Sequence, residues 1–283
     1  MSAAAVLAAA LAAGCGRSRP AGRTGVAGEI VVADPVFSRP VAVAHDPLTD
    51  VYYVVNQGTG SAAGFISVLS AEGTVMAGHW IGAGAGDGSP GLDHPVAIAP
   101  TGEYLFVAEP NAILQFDRRH GTPQGRTPLE FQGIVDLVAA EDGTLFVLTA
   151  PDGAAASVVR VGAAGRDTLV LDASIGRPAH LAVGPDGVWV ATAAGGLVRV
   201  GGAGAAGSDP VGVGGLAALA AFNGEAFVAD SSGDIYRGRP GAPYLKMLAG
   251  FRGTTGLAHD LWRHRLLIAR PDSGQVVVVP LGL

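Results

Sequence analysis

Leu105-Phe106-Val107, Leu145-Phe146-Val147, Val188-Trp189-Val190, Ala226-Phe227-Val228 and Leu266-Leu267-Ile268 are five copies of one short strand, their centres 38 to 43 positions apart. Tyr52-Tyr53-Val54 is a sixth copy, displaced upstream by extra loop residues between Gly58 and Gly64 and between Gly82 and Asp93. Around each copy the same order recurs: a small apolar run, a turn, the aromatic-and-valine run, a second turn and a third alternating strand. The runs are short, β-branched or aromatic, and bounded by Gly, Pro and Asp, which is strand-and-turn chemistry. A period near 40 with three or four strands per unit marks propeller blades. The sequence therefore predicts an all-β, six-bladed β-propeller over residues 28–283.

The two ends of the repeat fit a closed ring. Blade six stops after its third strand, Gln275 to Val279, which leaves an edge unpaired. Glu29-Ile30-Val31-Val32-Ala33 precedes blade one and has no partner there. As the outer strand of blade six it would satisfy both edges and close the ring.

Composition agrees with a single large β domain and removes several function classes. Hydrophobic residues make up 49% of the 283 and charged residues 15%, so a core can form and charge-driven disorder is excluded. A net charge of −6 without a basic block argues against nucleic-acid binding through phosphates. The 44 glycines and 18 prolines call for many turns.

The single cysteine, Cys15, excludes an internal disulfide and a thiolate zinc site. Residues Ala3 to Ala13 are uninterrupted small and apolar, and Leu11-Ala12-Ala13-Gly14-Cys15 follows. This run has secretory length and is too short to span a bilayer. It resembles a bacterial lipobox, in which the cysteine carries the lipid. Residues 1–14 are thus expected to be a signal peptide, with Cys15 lipidated and 15–27 a flexible tether. Plain secretion to the periplasm or exterior is the other outcome. Two departures bear on the choice: Ala12 sits where leucine is usual, and no Lys or Arg precedes the apolar run.

Two glycine patterns, Gly86-Asp87-Gly88-Ser89-Pro90-Gly91 and Gly202 to Gly207, match the dinucleotide fingerprint in spelling only. That chemistry needs a helix opening at the last glycine. Pro90 breaks the first, and the second leads into Ser208-Asp209-Pro210. The seven histidines show no metal-ligand spacing, and no Gly-x-Ser-x-Gly elbow is present. His45 and His259 occupy the same place in blades one and six, each just before an Asp, and read as turn chemistry at the lower rim.

The blades resemble the senescence-marker-protein/gluconolactonase family, with kinship to NHL-repeat propellers. The resemblance rests on Pro40-Val41-Ala42-Val43-Ala44-His45-Asp46-Pro47, Asp50 to Asn56 and Gly64-Phe65-Ile66-Ser67 in blade one. Leu105 to Glu109 and Phe116 to Pro123 carry it in blade two, with weaker support from Gly187 to Val190 and from Asp260 and Arg263 to Ile268. It implies metal-dependent hydrolysis of lactones or related esters, with a divalent ion held in the channel by one Glu, Asn side chains and one Asp. Internal alignment places the corresponding positions at Val41, Val96, Val135, Ala179, Leu216 and Thr255. The family's Glu then falls on Val41, its Asn positions on Val135 and Ala179, and its Asp on Leu216. None of these offers an oxygen ligand, so no cofactor is expected; a divalent metal enters only under the hydrolase alternative. Asp136 and His180 lie one position further on and are expected to turn between the blades.

What polar chemistry remains gathers at the channel mouth. Arg39, His94 and Arg177 each precede a proline that opens an inner strand. Asn56, Glu109, Thr149, Thr192, Asp230 and Arg270 end the second strands. The candidate ligand-binding residues are Arg39, Asn56, His94, Glu109, Arg177, His180, Asp230 and Arg270, and three basic or imidazole groups on one rim suit a small polar or anionic ligand. The expected protein is a monomeric, non-catalytic binding or scaffold propeller of the cell envelope, with a small ligand or an envelope protein as partner. One alternative is a divergent hydrolase using Glu109, Asp230 and His180. Another is a structural subunit docking through blade edges or the Gly82 to Gly91 loop.

Overall fold

Alternation of apolar and polar residues along short turn-bounded runs buries one strand face against a neighbour on each side, and a closed ring of sheets satisfies every face. A computed structural model gives this arrangement, describing residues 27–82, 91–127, 130–163, 165–185, 187–201 and 204–282. The signal, Cys15, nearly all of the tether and the loop 83–90 lie outside the described residues. Six four-stranded antiparallel sheets follow one another around an axis. The inner strands are Pro40–Asp46, Ala97–Thr101, Ile134–Ala139, Pro178–Gly184, Leu216–Phe222 and Gly256–Asp260. We call the face carrying the loops into these strands upper, and the face carrying the turns out of them lower.

The ring closes through the N-terminal strand. Ile30, Val31 and Val32 pair antiparallel with Val278, Val277 and Val276, so Ile30–Val32 is the fourth strand of blade six. The second pattern of glycines continues as an outer strand, Gly204–Pro210, rather than opening a helix. No helix of the described residues is long and apolar enough to cross a membrane.

The core is divided among the seams. Each of six buried apolar clusters lies between one pair of adjacent blades. The closing seam, between blades six and one, is filled by Val32, Phe37, Tyr52, Val54, Leu267 and Val278. The second strands supply most of this packing: Tyr53, Val107, Val147, Val190, Val228 and Ile268 are almost wholly buried. In blade four Trp189 occupies the place of a missing side chain, since a Cβ on Gly184 would stand 2.5 Å from its ring.

Candidate functional site

The geometry of the channel is set by backbone irregularities in its wall. Four inner strands carry a β-bulge near their start, where the pairing register skips Val41, Val135, Ala179 and Ala217. A bulge inserts one residue and reverses which side chains face which way beyond it. Past the bulge Ala42, Asp136, His180 and Ala218 stand opposite Val55, Leu148, Ala191 and Ala229. Ala97 and Gly256 are at the same level in the unbulged blades, opposite Ala108 and Ala269.

This corrects the register expected from sequence. Val41 and Val135, placed at the channel by alignment, pack against the clusters of the blade seams. Leu216 pairs with Asp230 as Pro40 pairs with Asn56, so it belongs one position earlier than the alignment put it. Asp136 and His180, expected between blades, line an axial channel of about 550 Å³. His180 Nδ1 lies 3.3 Å from Asp136 Oδ2. Asp136 also ties two blades together, because the same oxygen accepts the Leu181 backbone N–H at 2.8 Å. The other four residues at this level are alanine or glycine, so no bulky side chain of that layer stands across from the pair.

A divalent ion of the kind the resemblance implies needs several oxygen donors. Glu109 and Asp230 do not join Asp136 and His180: among the described residues no three His, Cys, Asp or Glu side chains form a group that could hold a metal. The residues present do not fit that ion.

The residues that end the second strands serve the loops above them. Asn56 is fully buried; its Oδ1 accepts the Ser38 N–H at 3.0 Å and its amide donates to Ser67 Oγ at 2.9 Å. Glu109 is buried too, and its Oε1 accepts the Asp93 N–H at 2.7 Å. Thr192 Oγ1 accepts the Gly196 N–H. Thr149 pairs with Ser157 Oγ at 2.8 Å. Asp230 accepts the backbone N–H groups of Ser232 and Asp234 and the Ser232 hydroxyl. Burial alone would raise the Asp230 carboxyl, but these bonds outweigh it and hold it below the usual carboxylate range. Arg270 donates to the Arg252 carbonyl and to Gln275.

Two of these tethers act on the basic rim. Ser38 and Asp93, the residues gripped by Asn56 and Glu109, immediately precede Arg39 and His94. Arg39 has φ 58° and His94 φ 51°, left-handed backbone that side-chain-bearing residues rarely adopt, above all before a proline. Adjacent blades thus use one device: a buried acceptor fixes a strained turn, and the turn lifts a basic side chain. Both side chains are exposed, as is Arg177 in blade four. His94 contacts Asp93 at 2.9 Å.

The lower end of the channel is built differently. Asp46 and Asp260 end the inner strands of blades one and six with no exposure. Asp260 accepts the Trp262 and Arg263 N–H groups and, from the next blade, the Tyr52 hydroxyl at 2.6 Å. Asp46 accepts the Leu48 N–H, the Thr49 and Tyr53 hydroxyls, and both Nε and Nη2 of Arg118 in blade two. Burial works against ionisation of Asp46, but Arg118 and Thr49 lower its pKa below the ordinary value. For Asp260 burial is likewise overcome, first by Tyr52 and then by the Arg263 N–H. Tyr52 is raised well above the usual phenol range by burial and by Asp260. His259 stacks on Phe222 at 3.9 Å, and burial, with His264 nearby, lowers its pKa to about 4. His45 Nε2 lies 3.5 Å from Asp50 and 3.8 Å from Asp260.

Sequence reasoning missed the seam-crossing role of Asp46, Asp260, Tyr52 and Arg118. The shared His-Asp of blades one and six was its visible trace. It also missed an off-axis cleft of about 790 Å³ on the upper face, lined by Asn111, Arg126, Gln132 and Asp152. Glu109 lies near Arg126 there, at 3.7 Å.

The fold and site together define a six-bladed β-propeller with an axial channel, basic side chains on its upper rim and buried carboxylates at its lower rim. No protein-family model matches the chain, and no curated protein matches it in sequence. Solved structures do match. One assigned as a gluconolactonase has 14% identity and a TM-score of 0.69, covering 93% of each chain. A gluconolactonase from Xanthomonas campestris has 14% identity and a TM-score of 0.67 over 89% of each chain. An auxiliary nutrient binding protein from Bacteroides thetaiotaomicron has 12% identity and a TM-score of 0.62, covering 86% of this chain and 69% of that one. The chain shares the propeller architecture of the gluconolactonase structures.

Proposed function

We propose that the protein is a binding propeller of the cell envelope, anchored through Cys15, that takes a small anionic or polar ligand at its upper mouth. The observation behind this reading is the paired device that holds Arg39 and His94 in left-handed backbone. Strain of this kind costs about 1–3 kcal/mol per residue and persists where the surroundings enforce it. Asn56 and Glu109 provide that enforcement, and the result is two cationic or imidazole groups exposed on the upper face, with Arg177 on the same face. A nutrient-binding neighbour with this architecture is in keeping with the reading. Calorimetric titration with a panel of small carboxylates, phosphates and sugar acids tests it. Arg39→Ala and Arg177→Ala are each expected to weaken the tightest binder about tenfold, the scale of one charge-assisted hydrogen bond. Equal affinity in the variants, or no binder in the panel, refutes it.

A second reading, a divergent hydrolase, is favoured by the Asp136–His180 contact. An imidazole held by a carboxylate can serve as a general base for water attacking an ester or lactone. This route needs no metal ion, whose donors are not gathered among the described residues. Its test is lactone and ester turnover that survives chelator and disappears in His180→Ala.

A further inference from the structure

Apolar groups are distributed unevenly over the two faces of the ring. Among the described residues Leu48, Tyr104, Leu261 and Trp262 are exposed large apolar side chains, Trp262 to 56%, and all four sit at lower-face turns. The remaining ones, Val31, Met76, Val170 and Leu245, belong to outer strands, and none lies in an upper-face loop. Leu48, Leu261 and Trp262 sit on the neighbouring turns of blades one and six, and apolar side chains exposed together in this way are a candidate contact surface.

These tips are held rigidly from behind. Asp46 accepts the Leu48 N–H at 2.8 Å and Asp260 the Trp262 N–H at 2.9 Å. The two turns are clamped to each other, because Arg263 donates to both oxygens of Asp50 at 2.7 Å. Little ordering is left to be done on contact, which favours association.

The path of the chain says what the face meets. Ile30–Val32 runs antiparallel to Gln275–Pro280, and Gly28 lies against Pro280, at the lower rim. The chain therefore joins the ring from below. Cys15 stands 13 residues before Gly28, a tether of at most about 45 Å when fully extended. A lipid on Cys15 would thus attach on the side of the lower face, where the apolar tips lie.

We propose that the lower face is a membrane-contact surface on which Trp262, Leu261 and Leu48 enter the interfacial layer of a phospholipid bilayer, leaving the upper mouth turned away from it. Trp is the side chain best suited to that layer, with an apolar body and a polar N–H. The inference takes its direction from the proposed anchor at Cys15, so the test imposes the anchor chemically. The mature chain from Cys15, which holds no other cysteine, is coupled through Cys15 to vesicles of phosphatidylethanolamine and phosphatidylglycerol containing a maleimide-headgroup lipid. Brominated acyl chains near the interface are expected to quench part of the tryptophan emission, and Trp262→Ala to lose that component, since Trp189 is buried and Trp80 stacks on Tyr53. Unchanged emission on brominated vesicles overturns the proposal, as does equal quenching in Trp262→Ala. Self-association of the uncoupled chain that buries Trp262 overturns it in favour of a second copy. Mass measurement of Cys15 in protein recovered from cells tests the anchor separately: a bare cysteine refutes the anchor and leaves the quenching result to decide the surface.

Discussion

The upper and lower rims of this ring are made from similar residue types put to opposite uses. Below, the carboxylates of Asp46 and Asp260 face inward, accept hydrogen bonds from the next blade, and leave apolar tips outside. Above, buried Asn56 and Glu109 face outward into their own loops and hold strained turns that expose charge. One rim joins blades; the other positions side chains. A buried polar group in a propeller therefore has to be read by where its partner lies. A partner in the adjacent blade means ring stability, and a partner in the overlying loop means a shaped mouth.

Opening the ring has the largest expected effect. Deleting Gly28 to Phe37 removes the strand paired with Val276 to Val278 and takes Val32 and Phe37 out of the closing seam. Two buried apolar side chains and a short ladder make the expected loss roughly 5 kcal/mol or more. Urea unfolding followed by tryptophan fluorescence reads it, and an unchanged midpoint would contradict closure at this seam.

A narrower cut is Asp46→Ala. It strands the buried Arg118 guanidinium, and removing one partner of a buried pair costs about 3–5 kcal/mol. Replacing both partners, Asp46→Leu with Arg118→Met, should cost less than the single change. Should the double variant be the weaker of the two, the pair is not coupled in the way its geometry indicates.

The fold could be read from the sequence because the second strands are buried in every blade, so apolar and aromatic residues recur there at a fixed phase. The closing strand was legible for the same reason: Ile30-Val31-Val32 is an apolar strand with no partner beside it, facing a blade with one edge open. The site was not legible to the same depth. Bulges at Val41, Val135, Ala179 and Ala217 are backbone events that valine or alanine neither requires nor forbids. Without them, alternation sends Asp136 to the wrong side. The groups through which Asn56 and Glu109 hold their loops are backbone N–H groups, which leave no mark on residue identity, so both looked like free groups at the mouth.

Acid reports first on the lower rim. His259 titrates near 4 in the folded protein against 6.5 for an unperturbed imidazole. Between those values the unfolded chain binds a proton that the folded one refuses. Stability is therefore complete above about pH 6.5 and falls as the pH is lowered toward 4. The loss is up to about 3 kcal/mol, at 1.4 kcal/mol per unit. Asp46 and Asp260, both held below the usual value, add their own loss only at still lower pH. His259→Leu should flatten the slope between pH 6.5 and 4 and leave the acid limb in place. A slope as steep as wild type would remove His259 as its source.

At the upper rim the expected effect is the smallest and opposite in sign. Arg39 has no ion pair or hydrogen bond through its side chain among the described residues, yet its backbone sits at φ 58°. Glycine adopts that conformation without a steric penalty, though it gains freedom in the unfolded chain. The two terms leave Arg39→Gly more stable by about 1 kcal/mol or less. His94→Gly should gain less, since it also gives up the contact with Asp93 at 2.9 Å, and the two changes should add because each turn has its own tether. Ligand affinity at the mouth should fall in both variants although the fold is firmer. That pairing of gain and loss belongs to a rim whose strain serves positioning. If Arg39→Gly is destabilising instead, the guanidinium contributes to the fold itself, and the upper rim is built like the lower one after all.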